Sequence, residues 1–201
     1  MKKIVITGGL GYIGTELCKI YSGYSWNDKI TVIDNRFISE RVNQLRNWNI
    51  EFIHGDILDK DLIKKNCFDA DIVHHLAGIT DVPRVKSESN TEHENKIRKV
   101  AEEGTLNILN SINENCKIIM PSTHVVFEGL EDIKKDIKEN EETKPILSYG
   151  KSKDINEKQL KRSGKNFIIL RLGSVYGYST DTARIDIMVN FFSKITSQNG
   201  V

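Results

Sequence analysis

The stretch SYGKSK places Tyr149 and Lys153 four residues apart. On a helix that spacing brings both side chains to one face, within reach of each other. An ammonium held near a phenol stabilises the phenolate and turns tyrosine into a usable proton acceptor near neutral pH. The stretch MPSTHVVFEG adds Ser122 and Thr123, hydroxyls able to hydrogen-bond a substrate oxygen beside that phenol. Tyrosine and lysine at this spacing are also common on surfaces, and Ser-Thr after a strand is ordinary turn or capping chemistry. Chemistry at these residues therefore requires partners elsewhere in the chain.

A second group of residues opens the sequence. In MKKIVITGGLGYIGTELCKI, Gly8, Gly11 and Gly14 separate the β-branched run Ile4, Val5, Ile6 from an amphipathic run carrying Tyr12, Ile13, Leu17 and Ile20. A strand, a glycine-rich turn and a helix in that order can hold a pyrophosphate: one glycine permits the turn, one the close approach of the phosphates, one the packing of helix on sheet. Such a site predicts an acid at the end of the next strand, about twenty residues on. KITVIDN supplies Asp34 there. A carboxylate at that point accepts from the ribose hydroxyls of adenosine and repels a 2′-phosphate, which favours NAD over NADP, although the neighbouring Arg36 is able to accommodate that phosphate.

These residues need elements to carry them. Strands are expected at 3–7, 29–34, 50–53, 71–77, 117–122 and 167–172, alternating with helices near 11–22, 40–47, 59–66, 94–114 and 148–163. The fourth helix has Ile97, Ala101, Gly104, Ile108 and Ile112 on one stripe. Alternation of this kind implies an α/β fold, a Rossmann-type doubly wound parallel sheet with helices on both faces. Right-handed crossovers then gather the strand ends, and the chemistry, along one edge. The charged run EDIKKDIKENEETKP (131–145) breaks the rhythm and reads as a solvated loop next to the site, with a lesser claim to be a mobile flap.

Composition narrows the function classes. The chain has 201 residues, a formal charge of +1 and three scattered cysteines, Cys18, Cys67 and Cys116, without CxxC spacing. One core is expected, with no basic face for nucleic acid, no membrane-spanning run, no disulfide framework and no metal site. HEN at 93–95 lacks the second histidine of a zinc helix, and the free thiols suit a reducing cytoplasm. His74 and His75 are expected to pack or bond locally, and Phe191 and Phe192 to be packing residues, with exposure among them where the C-terminal lobe is absent.

Taken together, the motifs resemble the extended short-chain dehydrogenase/reductases of the nucleotide-sugar epimerase and dehydratase group. TGGLGYIG resembles the family's TGxxGxxG turn, YGKSK its YxxxK, PSTHVVF its catalytic Ser/Thr segment, HHLAG its fourth-strand signature and LRLGSVYG its sixth-strand ending, over residues 4–177. The resemblance implies NAD as cofactor, bound by Gly8, Gly11, Tyr12, Ile13, Gly14, Asp34, Asn35, Asp56, Ile57, Leu76, Ala77, Gly78, Ser122, Tyr149 and Lys153. It implies Tyr149 as acid/base, Lys153 as its electrostatic partner and Thr123 as the hydroxyl that orients the sugar, with Thr123, His124, Tyr149 and Tyr176 contacting substrate. The implied reaction is epimerisation of a nucleotide sugar through a transient 4-keto intermediate, in a homodimer formed by the fourth and fifth helices. Residues 1–178 would form the NAD-binding domain, and 179–201 the beginning of a truncated or reduced C-terminal substrate-binding region.

Some positions depart from the family pattern. His124 and Val125 stand where dehydratases carry an Asp-Glu pair, which removes the agents for loss of water and disfavours that branch. STHVVFEG and AGITDV resemble keto-sugar reductases about as well as epimerases. Ala101 replaces a family asparagine, which predicts weaker hydrogen bonding behind the site. A non-catalytic NAD-binding sensor is the alternative from another class.

Overall fold

The computed structural model of the protein describes residues 1–24, 27–80, 90–131, 135–179 and 187–199. Residues 81 and 82 of AGITDV, 132–134 of the charged run, and 180–186, 200 and 201 of the expected C-terminal region lie outside the described residues. In chain order the elements are β1 (Lys3–Thr7), α1 (Tyr12–Gly23), β2 (Lys29–Asp34), α2 (Ser39–Asn47), β3 (Glu51–His54), α3 (Lys60–Cys67) and β4 (Ile72–His75). There follow α4 (Thr91–Ser111), β5 (Lys117–Thr123), a 3-10 turn (His124–Phe127), α5 (Ser148–Arg162), β6 (Asn166–Leu172) and α6 (Met188–Asn199). Sequence and structure agree on every strand and on the first five helices to within a few residues. The fourth helix starts earlier than its apolar stripe predicts because the Asn90 side chain accepts from Glu92 N at 2.9 Å and caps it there.

Six parallel strands pair in the order β3-β2-β1-β4-β5-β6. β1 sits between β2 and β4, so strand order reverses beside it and a crevice opens past its C-terminal end. Successive side chains of β1 feed opposite faces of the sheet. Ile4 and Ile6 join Leu10, Cys18, Val32, Val42 and Leu45 under α1 and α2. Val5 joins Ile33, Ile63, Val73, Ile108, Ile118 and Leu160 under α3, α4 and α5. Each such side chain stabilises the fold by about 1.5–3 kcal/mol through burial, and a strand buried on both faces is why IVI reads as an unbroken apolar run.

The described residues of the charged run are mostly exposed, yet they are tied down. Gly129 N donates to Lys144 O at 2.8 Å, Lys144 N to Val126 O at 2.8 Å and Thr143 Oγ1 to Asp154 Oδ1 at 2.6 Å. Phe191 and Phe192 are 46% and 57% exposed, the outcome expected where the C-terminal lobe is absent. The polar side of α6 docks instead, where Asn190 Oδ1 accepts from Gly177 N at 3.0 Å and its Nδ2 reaches Tyr12 Oη at 3.4 Å.

Candidate active site

The turn after β1 is built for glycine. Gly8 has φ +72°, and a Cβ there would lie 2.6 Å from Ala77 N, so both backbone conformation and space exclude a side chain. A Cβ on Gly14 would lie 2.6 Å from Gly8 O and from Gly9 Cα, which lets α1 press against its own turn. α1 opens at Gly11 with no side-chain cap and no acid in its first turn, whereas α3 is capped by Asp59 and α4 by Asn90. Its first N–H groups therefore remain available at the positive end of the helix dipole, lining a cavity of about 800 Å³.

Asp34 closes β2 beside this turn and is buried. Its Oδ2 accepts from Leu10 N at 3.0 Å and its Oδ1 from Arg36 N at 3.0 Å, while Arg36 Nε approaches Oδ1 at 3.4 Å. Asp56 is held by Asn35 Nδ2 at 2.9 Å and by Leu58 N at 2.9 Å. Ile57 is buried against Gly104, and Asn107 Nδ2 donates to its carbonyl at 2.9 Å. Leu76, Ala77 and Gly78 form the wall past β4, with Gly78 next to the Lys153 ammonium.

Tyr149, Lys153 and Thr123 face the same cavity. Lys153 is buried, its Nζ donates to Pro121 O at 3.0 Å and lies 5.9 Å from the centre of the Tyr149 ring, and burial lowers its pKa to about 8. The Thr123 oxygen accepts from Val125 N at 3.2 Å, which leaves its own proton to be donated toward a ligand. Ser122 has committed its proton to Glu157 Oε1 at 2.6 Å, so of the two adjacent hydroxyls Thr123 is the available one.

Behind these groups lies a buried polar chain. His75 is hydrogen-bonded by Thr7 Oγ1 at 3.0 Å and Thr105 Oγ1 at 3.0 Å, and His74 by Tyr21 Oη at 2.7 Å, so both histidines bond locally. At Ala101 the backbone is hydrogen-bonded from α5: Asn156 Nδ2 donates to Ala101 O at 2.8 Å and to Thr105 Oγ1 at 2.8 Å. Burial raises the thiols of Cys18 and Cys67 to about 12 and Cys116 to about 11, which keeps them protonated and inert.

Of the residues expected at the site, the three glycines, Tyr12, Ile13, Asp34, Asn35, Asp56, Ile57, Leu76, Ala77, Gly78, Ser122, Thr123, Tyr149 and Lys153 all line one cavity. His124 and Tyr176 do not. His124 Nδ1 instead meets Leu172 O at 3.3 Å, and Tyr176 is 62% exposed. His93, Lys96 and Val100 of α4 line the cavity and escaped sequence reading. Their three- and four-residue spacing was the available signal, overshadowed by the more apolar stripe next to it. Among the described residues no three of His, Cys, Asp and Glu gather as a metal site would require.

Residues 5–183 match the 3-beta hydroxysteroid dehydrogenase/isomerase family. The chain is 32% identical over 203 residues to a dTDP-D-glucose 4,6-dehydratase of Dictyostelium discoideum, covering 88% of this chain and 44% of that protein. It is 30% identical over 205 residues to a CDP-paratose 2-epimerase of Salmonella typhi, covering 87% and 58%. The solved UDP-N-acetylglucosamine 4-epimerase of Methanobrevibacter ruminantium superposes with a TM-score of 0.77 at 27% identity, over 98% of this chain and 63% of that one. The chain thus spans about half the length of the curated relatives it matches. With the glycine-rich turn, Asp34, Thr123, Tyr149 and Lys153 on one cavity, this chain belongs to the 3-beta hydroxysteroid dehydrogenase/isomerase family, within the extended short-chain dehydrogenase/reductases.

Proposed function

We propose that this chain carries the cofactor site and the acid/base machinery of a NAD-dependent nucleotide-sugar epimerase. The observation that carries this is the opening of Tyr149, Lys153 and Thr123 onto the cavity that holds the glycine-rich turn and Asp34. The residues fit the cofactor: a Cβ on Gly11 would press on Gly8 O at 3.2 Å, and the uncapped start of α1 suits a pyrophosphate. Gly11, Tyr12, Ile13 and Gly14 would hold the phosphates, Asp34 the adenosine ribose, Asp56 and Ile57 the adenine, and Lys153 the second ribose. NAD, when bound, supplies the redox chemistry at the sugar carbon.

The chain's own residues handle the proton and the geometry. Tyr149 removes the proton from the sugar 4-hydroxyl and later returns it. The Lys153 ammonium favours the phenolate. Thr123 donates to the same sugar oxygen and fixes its approach, so two groups converge on one atom and supply orientation as well as proton transfer. His124 and Val125, standing after Thr123, bring no carboxylate for loss of water, which favours epimerisation over dehydration.

Residues 1–178 are assigned as the cofactor domain and 179–201 as the beginning of a substrate-binding region. Two features support the assignment: the half-length match to relatives, and the apolar residues that α6 exposes, among them Met188 at 70% and Phe192 at 57%. The same assignment includes a homodimer through α4 and α5, where Leu106 is 43% exposed. Among the described residues no helix is long and apolar enough to cross a membrane.

The test is calorimetric titration with NAD, then with UDP, GDP, CDP and dTDP, followed by product analysis with the sugar of the nucleotide that binds. Conversion of a nucleotide sugar to its 4-epimer without net consumption of NAD is the expected result. Stoichiometric consumption of a reduced nicotinamide would assign a keto-sugar reductase instead, and NAD binding without any turnover a sensor.

A further inference from the structure

The acid/base residues rest on a buried ion pair that proton transfer itself does not use. Glu157 lies one helical turn beyond Lys153 on α5 and is 1% exposed. Its carboxylate accepts from Ser122 Oγ at 2.6 Å, from Arg171 Nε at 2.9 Å and from Arg171 Nη2 at 2.7 Å, with Lys161 Nζ at 3.5 Å. Burial pushes the Glu157 carboxyl up, but the bonds from Arg171 and Ser122 and the Arg171 charge outweigh it and hold the group below the usual carboxylate range. Ser122 on β5 is the register partner of Arg171 on β6. The same guanidinium lies 4.8 Å over the Phe127 ring, in the turn that directly follows Thr123, and its Nη1 donates to Glu139 O at 3.0 Å.

We propose that the Glu157–Arg171 pair is a positioning device: it sets β5 against α5 so that Thr123, Tyr149 and Lys153 share one working geometry, and it pins the exposed segment 135–145 to the same point. The proposal rests on the roles given to those three residues under Proposed function. α5 grips β5 at two successive residues, Pro121 through Lys153 at 3.0 Å and Ser122 through Glu157 at 2.6 Å. Loosening the second grip shifts the strand under the first, and with it the separation of ammonium and phenol. Stability alone does not call for this pair, because a buried ion pair is often matched or exceeded by apolar residues of similar volume. A bidentate fork accepts its carboxylate in a narrow range of orientations, and that directional restraint is what the pair contributes.

The experiment is titration of the Tyr149 phenolate with NAD present, read as the ultraviolet absorbance of each chain minus that of its Tyr149→Phe counterpart. In Glu157→Gln/Arg171→Met both charges leave together, so the field on the phenol changes little. The Tyr149 midpoint is expected to rise by about one pH unit, a tenfold loss of phenolate at fixed pH. Arg171→Lys keeps the charge without the fork and is expected to show a smaller rise. It also decides the question if the double variant does not fold. Glu157→Gln alone separates field from position: an uncompensated Arg171 acting only through its field lowers the midpoint, whereas lost positioning raises it. An unchanged or lowered midpoint in these chains, with a lower melting temperature, would overturn the proposal and leave the pair a structural tie. A wild-type Tyr149 that titrates like free tyrosine counts against the proposed reaction, and the comparison between chains still decides the pair.

Discussion

The Lys153 ammonium is bonded to one carbonyl and shielded from water, and burial lowers its pKa to about 8. At neutral pH it is still mostly charged, so it favours the Tyr149 phenolate. Replacing Tyr149 with Phe keeps the ring and removes the proposed proton carrier. Turnover of a nucleotide sugar is expected to fall by at least about a hundredfold, while NAD affinity, read by calorimetry, falls by less than about tenfold because only one hydrogen bond is lost. Equal loss of both would mean that Tyr149 serves binding and not proton transfer. Tyr149, Lys153 and Thr123 were legible in the sequence because a four-residue helical spacing and a strand end fix where side chains go. The directions of His124 and Tyr176 were not, because a place just past a strand end leaves side-chain rotation open: His124 Nδ1 meets Leu172 O, and Tyr176 is exposed.

At the scale of elements, α1 shows how a helix is seated by its glycines. Gly14 lets it press on its own turn, and Gly23 at its far end has nothing within 4 Å of a built Cβ. Gly14→Ala meets backbone, which cannot swing aside, so a loss of about 3 kcal/mol, the upper range for overpacking, is expected together with loss of NAD binding. Gly23→Ala is expected to be neutral or to stabilise by up to about 1 kcal/mol through helix propensity. Urea denaturation and NAD titration of the two chains check both. The fold was readable to this level because doubly covered strands leave unbroken apolar runs between amphipathic helices. The Asn156 bond to Ala101 O was not, since it joins residues 55 positions apart and leaves no periodicity. The ties on the charged run were hidden for the same reason: composition reports that a segment is solvated, and only the fold brings Arg171 to Glu139 O.

For the molecule as a whole, two buried histidines make acid the weak side of the stability profile. Burial lowers His74 from 6.5 to about 4 and His75 from 6.5 to about 3, the Lys153 charge adding to the second. Below pH 6.5 the unfolded chain binds protons that the folded chain refuses. Stability contributed by the neutral histidines is therefore complete above pH 6.5 and is lost as the pH falls toward 4 and 3. Urea denaturation at pH 7 and pH 5 is expected to differ by about 2–4 kcal/mol, each histidine adding a slope of up to about 1.4 kcal/mol per pH unit. The slope should flatten in His75→Gln, and equal stability at the two pH values would mean that the histidines take up protons in the fold as readily as in the unfolded chain.

The sheet order also imposes a timetable on a growing chain. β1 pairs on one side with β2, at residues 29–33, and on the other with β4, at residues 72–75. A β3-β2-β1 half-sheet can form once residue 54 is clear of the ribosome, yet the flank of β1 that carries the glycine-rich turn toward Ala77 stays open until β4 follows. Parallel pairings of distant segments form slowly, and an open strand edge invites strangers while it waits. Until β4 emerges and pairs, the edge of β1 that carries the glycine-rich turn is thus open to strands of other chains.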